Sequence, residues 1–281
     1  MSFLKRIFDF ILFGNIYVAL GTVCLIQSSI IQLQLTGNLF PYSALSFFAT
    51  LFVYNFQRIF YKPPQPEYTS VRRIWISKNQ LLIKILAAVG FIGTIVTLFF
   101  TGYKILIYLF PPFALSVLYF TPFILLRKNP WLKLLTLAAV WTMVTAVIPL
   151  LLNLTPIAVS SSLLHISTRF WFMVAICIPF DIRDLHIDQR DAVITIPLLT
   201  GENKARWIAF GCMLIYGFFI ILEYILEMIH IKIFTALIFS ALINTIIVLI
   251  SDTRRSEYFY VAGIDGTMLL QGILLMVAYY L

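Results

Sequence analysis

The chain has 281 residues, of which 61% are hydrophobic and only 11% charged, and its formal net charge is +8. With a mean hydropathy of +0.97 it lies outside the range of soluble globular domains, and a polytopic helical membrane protein is the class that fits. Its apolar runs are apolar on every face, which excludes a barrel of alternating ten-residue membrane strands.

A spanning helix needs about 20 mostly apolar residues, and nine such runs follow one another: 9–33, 40–60, 80–101, 104–126, 131–153, 165–182, 206–227, 231–250 and 259–280. The expected fold class is therefore all-α, a bundle of nine transmembrane helices in a single domain, 1–281. The first run is preceded by Lys5 and Arg6 like a secretory signal, but no small-residue cleavage site follows, so a retained first helix is expected. Pro111, Pro112, Pro122, Pro149 and Pro179 fall within or near the ends of runs, where membrane helices tolerate kinks. Cys24, Cys177 and Cys212 lie inside apolar runs without metal spacing and read as small core residues.

Basic residues set the orientation. With the N-terminus in the cytoplasm, only Lys104, Arg169 and Lys232 of the 20 Lys and Arg fall on the outer side, a strong positive-inside pattern. Topology and anionic headgroups thus account for the positive charge, and no nucleic-acid partner is expected. The plasma membrane of a bacterium is the expected location. Two loops on the basic side are long. One, about 61–79, contains PPQPEYTSVRRIW; the other, about 183–205, begins inside an acidic cluster.

That cluster is FDIRDLHIDQRD. Asp181, Asp184, Asp188 and Asp191 gather there, although the chain has only 12 Asp and Glu. On a continuous helix Asp181, Asp184 and Asp188 share one face and Arg183 points away. Three carboxylates on one face at a membrane boundary repel each other and need a cation. A divalent metal with a phosphate ligand supplies one, since hard oxygen ligands suit Mg²⁺; a basic protein neighbour supplies another, and a solvated loop is the plain alternative. His186, between these acids, reads as a surface residue. Asp265, a few residues into the last run, needs a partner and marks a candidate polar pocket.

The spacing DIRDLHID, from Asp181 to Asp188, then Thr195, Pro197 and Gly201, resembles the second aspartate-rich motif of the UbiA superfamily of intramembrane prenyltransferases. Ala192 stands at that motif's glycine and Ile196 at its leucine. YFTPFILLRKNPW, from Tyr119, is similar to the family's Tyr/Pro segment ending in a basic pair, here Arg127 and Lys128. Nine helices with long loops after the second and sixth match the layout of the family over nearly the whole chain.

The resemblance implies a membrane prenyltransferase that moves an isoprenoid chain from a prenyl diphosphate to an aromatic or other lipophilic acceptor. Mg²⁺ would bridge the diphosphate to aspartates on the second and sixth helices, in a cavity dry enough to protect an allylic cation. Asp181, Asp184 and Asp188 would be the catalytic carboxylates, with Asp181 and Asp184 as metal ligands. Asn55, Arg58, Tyr119, Arg127 and Lys128 would bind substrate. Arg72, Arg73 and Lys78 in the 61–79 loop could supply further diphosphate contacts, although most such basic loop residues are expected to be topology determinants.

The second helix departs from the pattern. Asn55 matches the motif's leading asparagine, but Phe56, Ile59 and Pro63 replace its three acids. Asn55, Arg58 and Lys62 instead occupy one face at i, i+3 and i+7. Arg58 then has two possible partners: a sixth-helix aspartate, which would fill the metal site, or the diphosphate itself. The bridge to Asp181 or Asp184 is expected in the ligand-free chain. The competing function is a non-catalytic membrane protein of the same fold that binds an isoprenoid lipid or a protein partner. A transporter fits less well, because the charges gather at one membrane face rather than at midplane.

Overall fold

The computed structural model describes residues 3–60, 70–120, 129–190 and 193–281, and the secondary structure in them is helical. The elements are α1 (Phe3–Phe13), α2 (Ile16–Leu33), α3 (Phe40–Ile59), α4 (Val71–Lys78), α5 (Gln80–Thr101), α6 (Ile105–Phe120) and α7 (Pro130–Thr142). A π-helical turn, Met143–Val147, joins α7 to α8 (Ile148–Leu151). Then come α9 (Val159–Arg183), α10 (Leu185–Arg190), α11 (Ile196–Thr200), α12 (Glu202–Ile225) and α13 (Ile231–Leu249). A second π-helical turn, Phe259–Ile264, leads into α14 (Gly266–Tyr280).

Over its described residues each of the nine apolar runs coincides largely with helix, but not all meet the same standard. Among the described residues, seven segments are long and apolar enough to cross a membrane. The less apolar α3 and the 16-residue α6 stand at the other two expected positions.

The first run corrects the expectation of one continuous helix over 9–33. It breaks at Gly14 and Asn15, where Asn15 takes a left-handed φ of 61°, a conformation asparagine tolerates better than most residues. Asn55 of α3 holds the break: its Nδ2 donates to the Gly14 carbonyl at 3.0 Å, and its Oδ1 accepts from Asn15 Nδ2 at 3.1 Å. The detached α1 is amphipathic. Asp9, Leu12 and Phe13 are buried, while Phe3, Leu4, Ile7 and Phe8 are exposed. Its Asp9 accepts a hydrogen bond from Tyr258 at 2.7 Å.

Close helix approaches rest on glycine. A Cβ at Gly90 of α5 would lie 2.6 Å from the Phe52 backbone nitrogen of α3, and one at Gly272 of α14 would lie 2.5 Å from the Cys24 carbonyl of α2. The main apolar core runs through α9, α12, α13 and α14, with Phe172, Tyr216, Leu237 and Tyr260 fully enclosed. Cys177 and Cys212 are buried and unbridged, as expected of small core residues.

Arg169 does not reach an outer surface. It is 2% exposed and sits in a polar network inside the bundle. Its guanidinium donates to the Leu25 carbonyl at 3.1 Å, to Gln271 Oε1 at 3.4 Å and to Ser28. Beside it Glu223 accepts from Thr168 at 2.8 Å and from Gln32 at 2.5 Å, and His165 shares a hydrogen bond with Ser29 at 2.9 Å. These contacts tie α2, α9, α12 and α14 together through groups that would each be costly in lipid alone.

Candidate functional site: a charged cluster at the end of α9

Helix α9 does not run on through the acidic motif. It ends at Arg183, and Asp184 is its C-cap at φ −88°, ψ 6°, before the short α10. Asp181, Asp184 and Asp188 therefore do not lie on one continuous helix face, and they find different partners. Asp181 accepts a hydrogen bond from Lys133 Nζ at 2.8 Å, and Asp188 Oδ2 lies 3.9 Å from the same ammonium. Lys133 is delivered by α7, whose N-terminus is fixed by Asn129: the Asn129 side chain accepts from the Trp131 and Leu132 amides.

Arg183 does not point away. Its Nε and Nη2 grip Asp184 at 2.9 and 2.7 Å, a two-pronged pair of the kind that suits a planar guanidinium. The guanidinium also lies over the rings of Phe180 (5.0 Å) and Tyr260 (5.7 Å), a cation–π arrangement that fixes its plane. Beyond it Glu257 Oε2 lies 3.9 Å from Arg183 Nη1 and 3.5 Å from Arg72 Nε. Arg72 belongs to α4, which starts at Ser70, whose hydroxyl accepts from the Arg73 amide. The cluster thus joins residues of α4, α7, α9, α10 and the segment before the second π-helical turn.

Burial works against ionisation of Asp184, but Arg183, with Arg72 and Arg58 farther off, holds its carboxyl well below the usual carboxylate range. Burial and the like charges of Arg183 and Arg58 lower Arg72 from its ordinary value, against the opposing pull of Glu257 and Asp184. A guanidinium so placed stays cationic at neutral pH.

The expected site residues separate. Asn55 is 0% exposed, and its amide is engaged by Gly14, Asn15 and Leu51. Arg58 acts on Asp184 and Arg72 through space. The positions next to Asp181 and Asp184 that the sequence assigns to Arg58 are taken by Lys133 and Arg183. Phe56, which replaces one acid of the missing motif, is 45% exposed. His186 is exposed on α10. Asp265 follows the second π-helical turn and lies within electrostatic range of Arg58, Arg72 and Arg183. Lys62, Pro63, Arg127, Lys128, Asp191 and Ala192 lie outside the described residues.

Sequence reasoning missed Lys133 and Glu257 as members of the site, and weighed Arg72 as a possible diphosphate contact while favouring a topology role for most such basic residues. Two local signals bore on them: Asn-Pro ahead of Lys133 and Ser70 ahead of Val71 are helix-start patterns. They place the helices without revealing their partners.

A cavity of about 500 Å³ opens between α2, α3, α5, α6 and α7. Its wall is largely apolar and aromatic, with Phe52, Phe113 and Trp141, and it includes Tyr54, Gln57 and Tyr119. Tyr119 is within electrostatic range of Lys133, and Tyr54 of Arg58 and Asp265. A greasy chamber whose tyrosines lie within electrostatic range of cations suits a ligand with an apolar tail and an anionic head.

Mg²⁺ fits this donor set poorly. Asp181 and Asp184, the expected ligands, each already hold a protein cation at hydrogen-bond distance. Among the described residues no group of three His, Cys, Asp or Glu is placed to hold a metal ion.

No protein-family model and no curated protein matches the chain at the sequence level. Solved structures do match. A UbiA homologue from Archaeoglobus fulgidus, bound to GPP and Mg²⁺, superposes with a TM-score of 0.67 at 11% identity, covering 96% of this chain and 100% of that one. A UbiA homologue from Aeropyrum pernix K1, in its apo form, gives 0.58 at 12% identity over 99% and 98% of the two chains. A digeranylgeranylglyceryl phosphate synthase structure gives 0.56 at 13% identity over 98% and 97%. The chain is an integral membrane protein with the fold of the UbiA superfamily of intramembrane prenyltransferases.

Proposed function

We propose that this protein transfers an isoprenoid chain from a prenyl diphosphate to an aromatic or other lipophilic acceptor inside the membrane. The observation that carries the proposal is the apolar cavity of about 500 Å³ whose wall residues Tyr54 and Tyr119 lie within electrostatic range of Arg58 and Lys133. The prenyl tail lies in the cavity and the diphosphate at the cluster, with Asp181, Asp184, Asp188, Arg58 and Tyr119 as the residues proposed to serve it; Arg127 and Lys128 are added on the sequence resemblance alone. Asn55 holds α3 against the α1–α2 break. The carbon–oxygen bond to the diphosphate breaks, and the leaving group takes the electron pair. The acceptor's electron pair then forms the new bond to the allylic carbon, and the acceptor gives up a proton to the diphosphate or to water. Cations of the cluster stabilise the charge that develops on the leaving group, and the apolar wall keeps water from the allylic cation.

Asp181 and Asp184 remain the residues that would ligate Mg²⁺, a fit that requires Lys133 and Arg183 to move off them. We place the protein in a bacterial plasma membrane, with the N-terminus and the charged cluster facing the cytoplasm. This orientation follows the distribution of Lys and Arg.

A second reading, a non-catalytic protein that binds an isoprenoid diphosphate, is favoured by the closed Lys133–Asp181 and Arg183–Asp184 pairs. One assay separates the two. Purified protein in lipid nanodiscs is given geranyl diphosphate and a panel of phenolic and lipid-alcohol acceptors, with diphosphate release and prenylated product measured. Turnover that Asp181→Asn removes supports transfer. Saturable binding without release supports the second reading, and absence of both binding and release overturns both.

A further inference from the structure

Each sixth-helix carboxylate expected to hold metal is already matched with a protein cation, and those cations retain donors of their own. Arg183 uses Nε and Nη2 on Asp184, but its Nη1 is buried and makes no hydrogen bond. Arg72 Nε is likewise buried without a hydrogen bond. Glu257 Oε2 lies between the two guanidiniums at 3.5 and 3.9 Å, close enough to hold both by charge yet making no hydrogen bond to either. Their side chains are 11% exposed, and that of Glu257 is 12% exposed. Buried N–H groups of native proteins find acceptors almost without exception; among the described residues Glu257 Oε2 stands beside both donors at 3.5 and 3.9 Å, and one carboxylate oxygen does not satisfy two guanidiniums, which leaves both with capacity for a further oxyanion.

The chemistry of that acceptor follows from the donors. A guanidinium presents parallel N–H groups whose spacing matches two oxygens of a phosphate, and it cannot be titrated away. Arg183 is held in plane by Phe180, Tyr260 and Asp184, so little freedom is lost when a ligand binds. Lys133, fixed by Asp181 and near Asp188, adds a point charge within electrostatic range of Tyr119. The acids here orient the cations. On α3, where the family pattern expects acids, Phe56 and Ile59 offer no oxygen.

We propose that this cluster binds the diphosphate head of an isoprenoid on protein cations alone, without a divalent metal. Arg72 Nε, Arg183 Nη1 and Lys133 Nζ are its donors. The proposal rests on the prenyl diphosphate reading above and adds that metal is dispensable for binding.

The test is calorimetric titration of the purified protein, in nanodiscs of zwitterionic lipid, with geranyl diphosphate in excess EDTA and again in excess Mg²⁺. The expected result is one affinity in both buffers, within about twofold, with inorganic diphosphate competing for the site. Arg72→Gln weakens binding about tenfold or more in both buffers, on the scale of one charge-assisted hydrogen bond. Arg72→Lys recovers only part, because a point charge does not reproduce the fork. Thermal melting of each variant separates loss of donors from loss of fold; should Arg72→Gln fail to fold, Arg72→Lys and the metal comparison on the parent chain decide the matter. Binding that appears only with Mg²⁺ overturns metal independence and leaves the prenyl diphosphate reading intact. Binding in EDTA that competing inorganic diphosphate does not reduce, or that Arg72→Gln leaves unchanged, overturns the assignment of the head group to this cluster. No binding of geranyl diphosphate in either buffer overturns both readings together.

Discussion

Two polar regions lie inside this apolar chain, and they are built differently. Around Arg169 the charged groups are held by neutral partners: Glu223 takes both its hydrogen bonds from Thr168 and Gln32, and Arg169 donates to Ser28, Gln271 and a backbone carbonyl. Four spanning segments meet there, deep in the bundle. At the end of α9 the groups are paired charge to charge, Lys133 with Asp181 and Arg183 with Asp184, with Glu257 between two guanidiniums and hydrogen-bonded to neither. The first arrangement uses polarity to fix helix positions. The second concentrates charge, with two guanidiniums about one carboxylate, a design suited to an anionic ligand; buried N–H groups without a hydrogen bond occur in both regions, Arg169 Nε included. A buried ionisable group in a membrane protein is a site hypothesis by default; its partners decide whether it serves packing or binding.

The largest way to break this contrast is at Arg169. Arg169→Leu leaves the polar side chains of Ser28 and Gln271 facing an apolar group and Glu223 without its neighbouring cation. It should cost about 3–5 kcal/mol, the scale for removing one member of a buried charged set. Thermal unfolding in detergent measures this, and a change below 1 kcal/mol would show the network to be incidental to stability. Geranyl diphosphate affinity of whatever protein remains folded should not change.

At the other region Lys133→Ala should cost about 1.5–3 kcal/mol of stability, the scale of a hydrogen bond to a charged group, and should weaken geranyl diphosphate binding as well. Combined with Asp181→Asn it should show a coupling of about 1 kcal/mol, as contacting residues do. Additive losses would mean that the pair carries no energy of its own.

Asn55→Ala tests a link between the regions. It removes the partner of Asn15 and of the Gly14 carbonyl, and should cost about 1–3 kcal/mol through the groups left unsatisfied. Because α3 also carries Arg58, ligand affinity should fall modestly with it; a loss of affinity at unchanged stability would instead make Asn55 a direct ligand contact.

The smallest effect concerns pH. The Asp184 carboxyl is depressed in the folded chain, so the folded state binds fewer protons there than the unfolded one. Its stabilisation is present above the ordinary carboxylate value of about 4 and is lost as pH falls through the lower folded value. Asp184→Asn should therefore melt lower than the parent at neutral pH, and the gap should narrow under acid. A constant gap across that window would mean the Arg183 pair is not the source.

Much of the architecture was legible beforehand, because membrane helices announce themselves by composition alone. The apolar runs needed only lengths and apolar content, and the family layout followed from the resemblance at the acidic motif. The Asp181–Asp188 spacing pointed to the helix end where the structure gathers a charged cluster. The Gly14–Asn15 break escaped because a lone Gly-Asn pair inside an apolar run is also tolerated within a helix; the break is held by Asn55, 40 residues from Asn15. The face argument for the three aspartates failed because it assumed one straight helix, and α9 ends between them.

By itself, then, the sequence determined the class of the molecule, the positions of its helices and where its scarce carboxylates gather, all properties of local composition and spacing. Partner choice was left to the tertiary structure. Lys133 meets Asp181 across 48 residues, Arg72 of α4 and Arg183 of α9 meet around Glu257, and Arg169 turns inward to α2 and α14. A charge near a membrane is equally compatible with a headgroup, a metal or another side chain until the helices pack. Packing then sets the distances, and the cost of an unpaired charge in low dielectric selects among the partners it brings within reach.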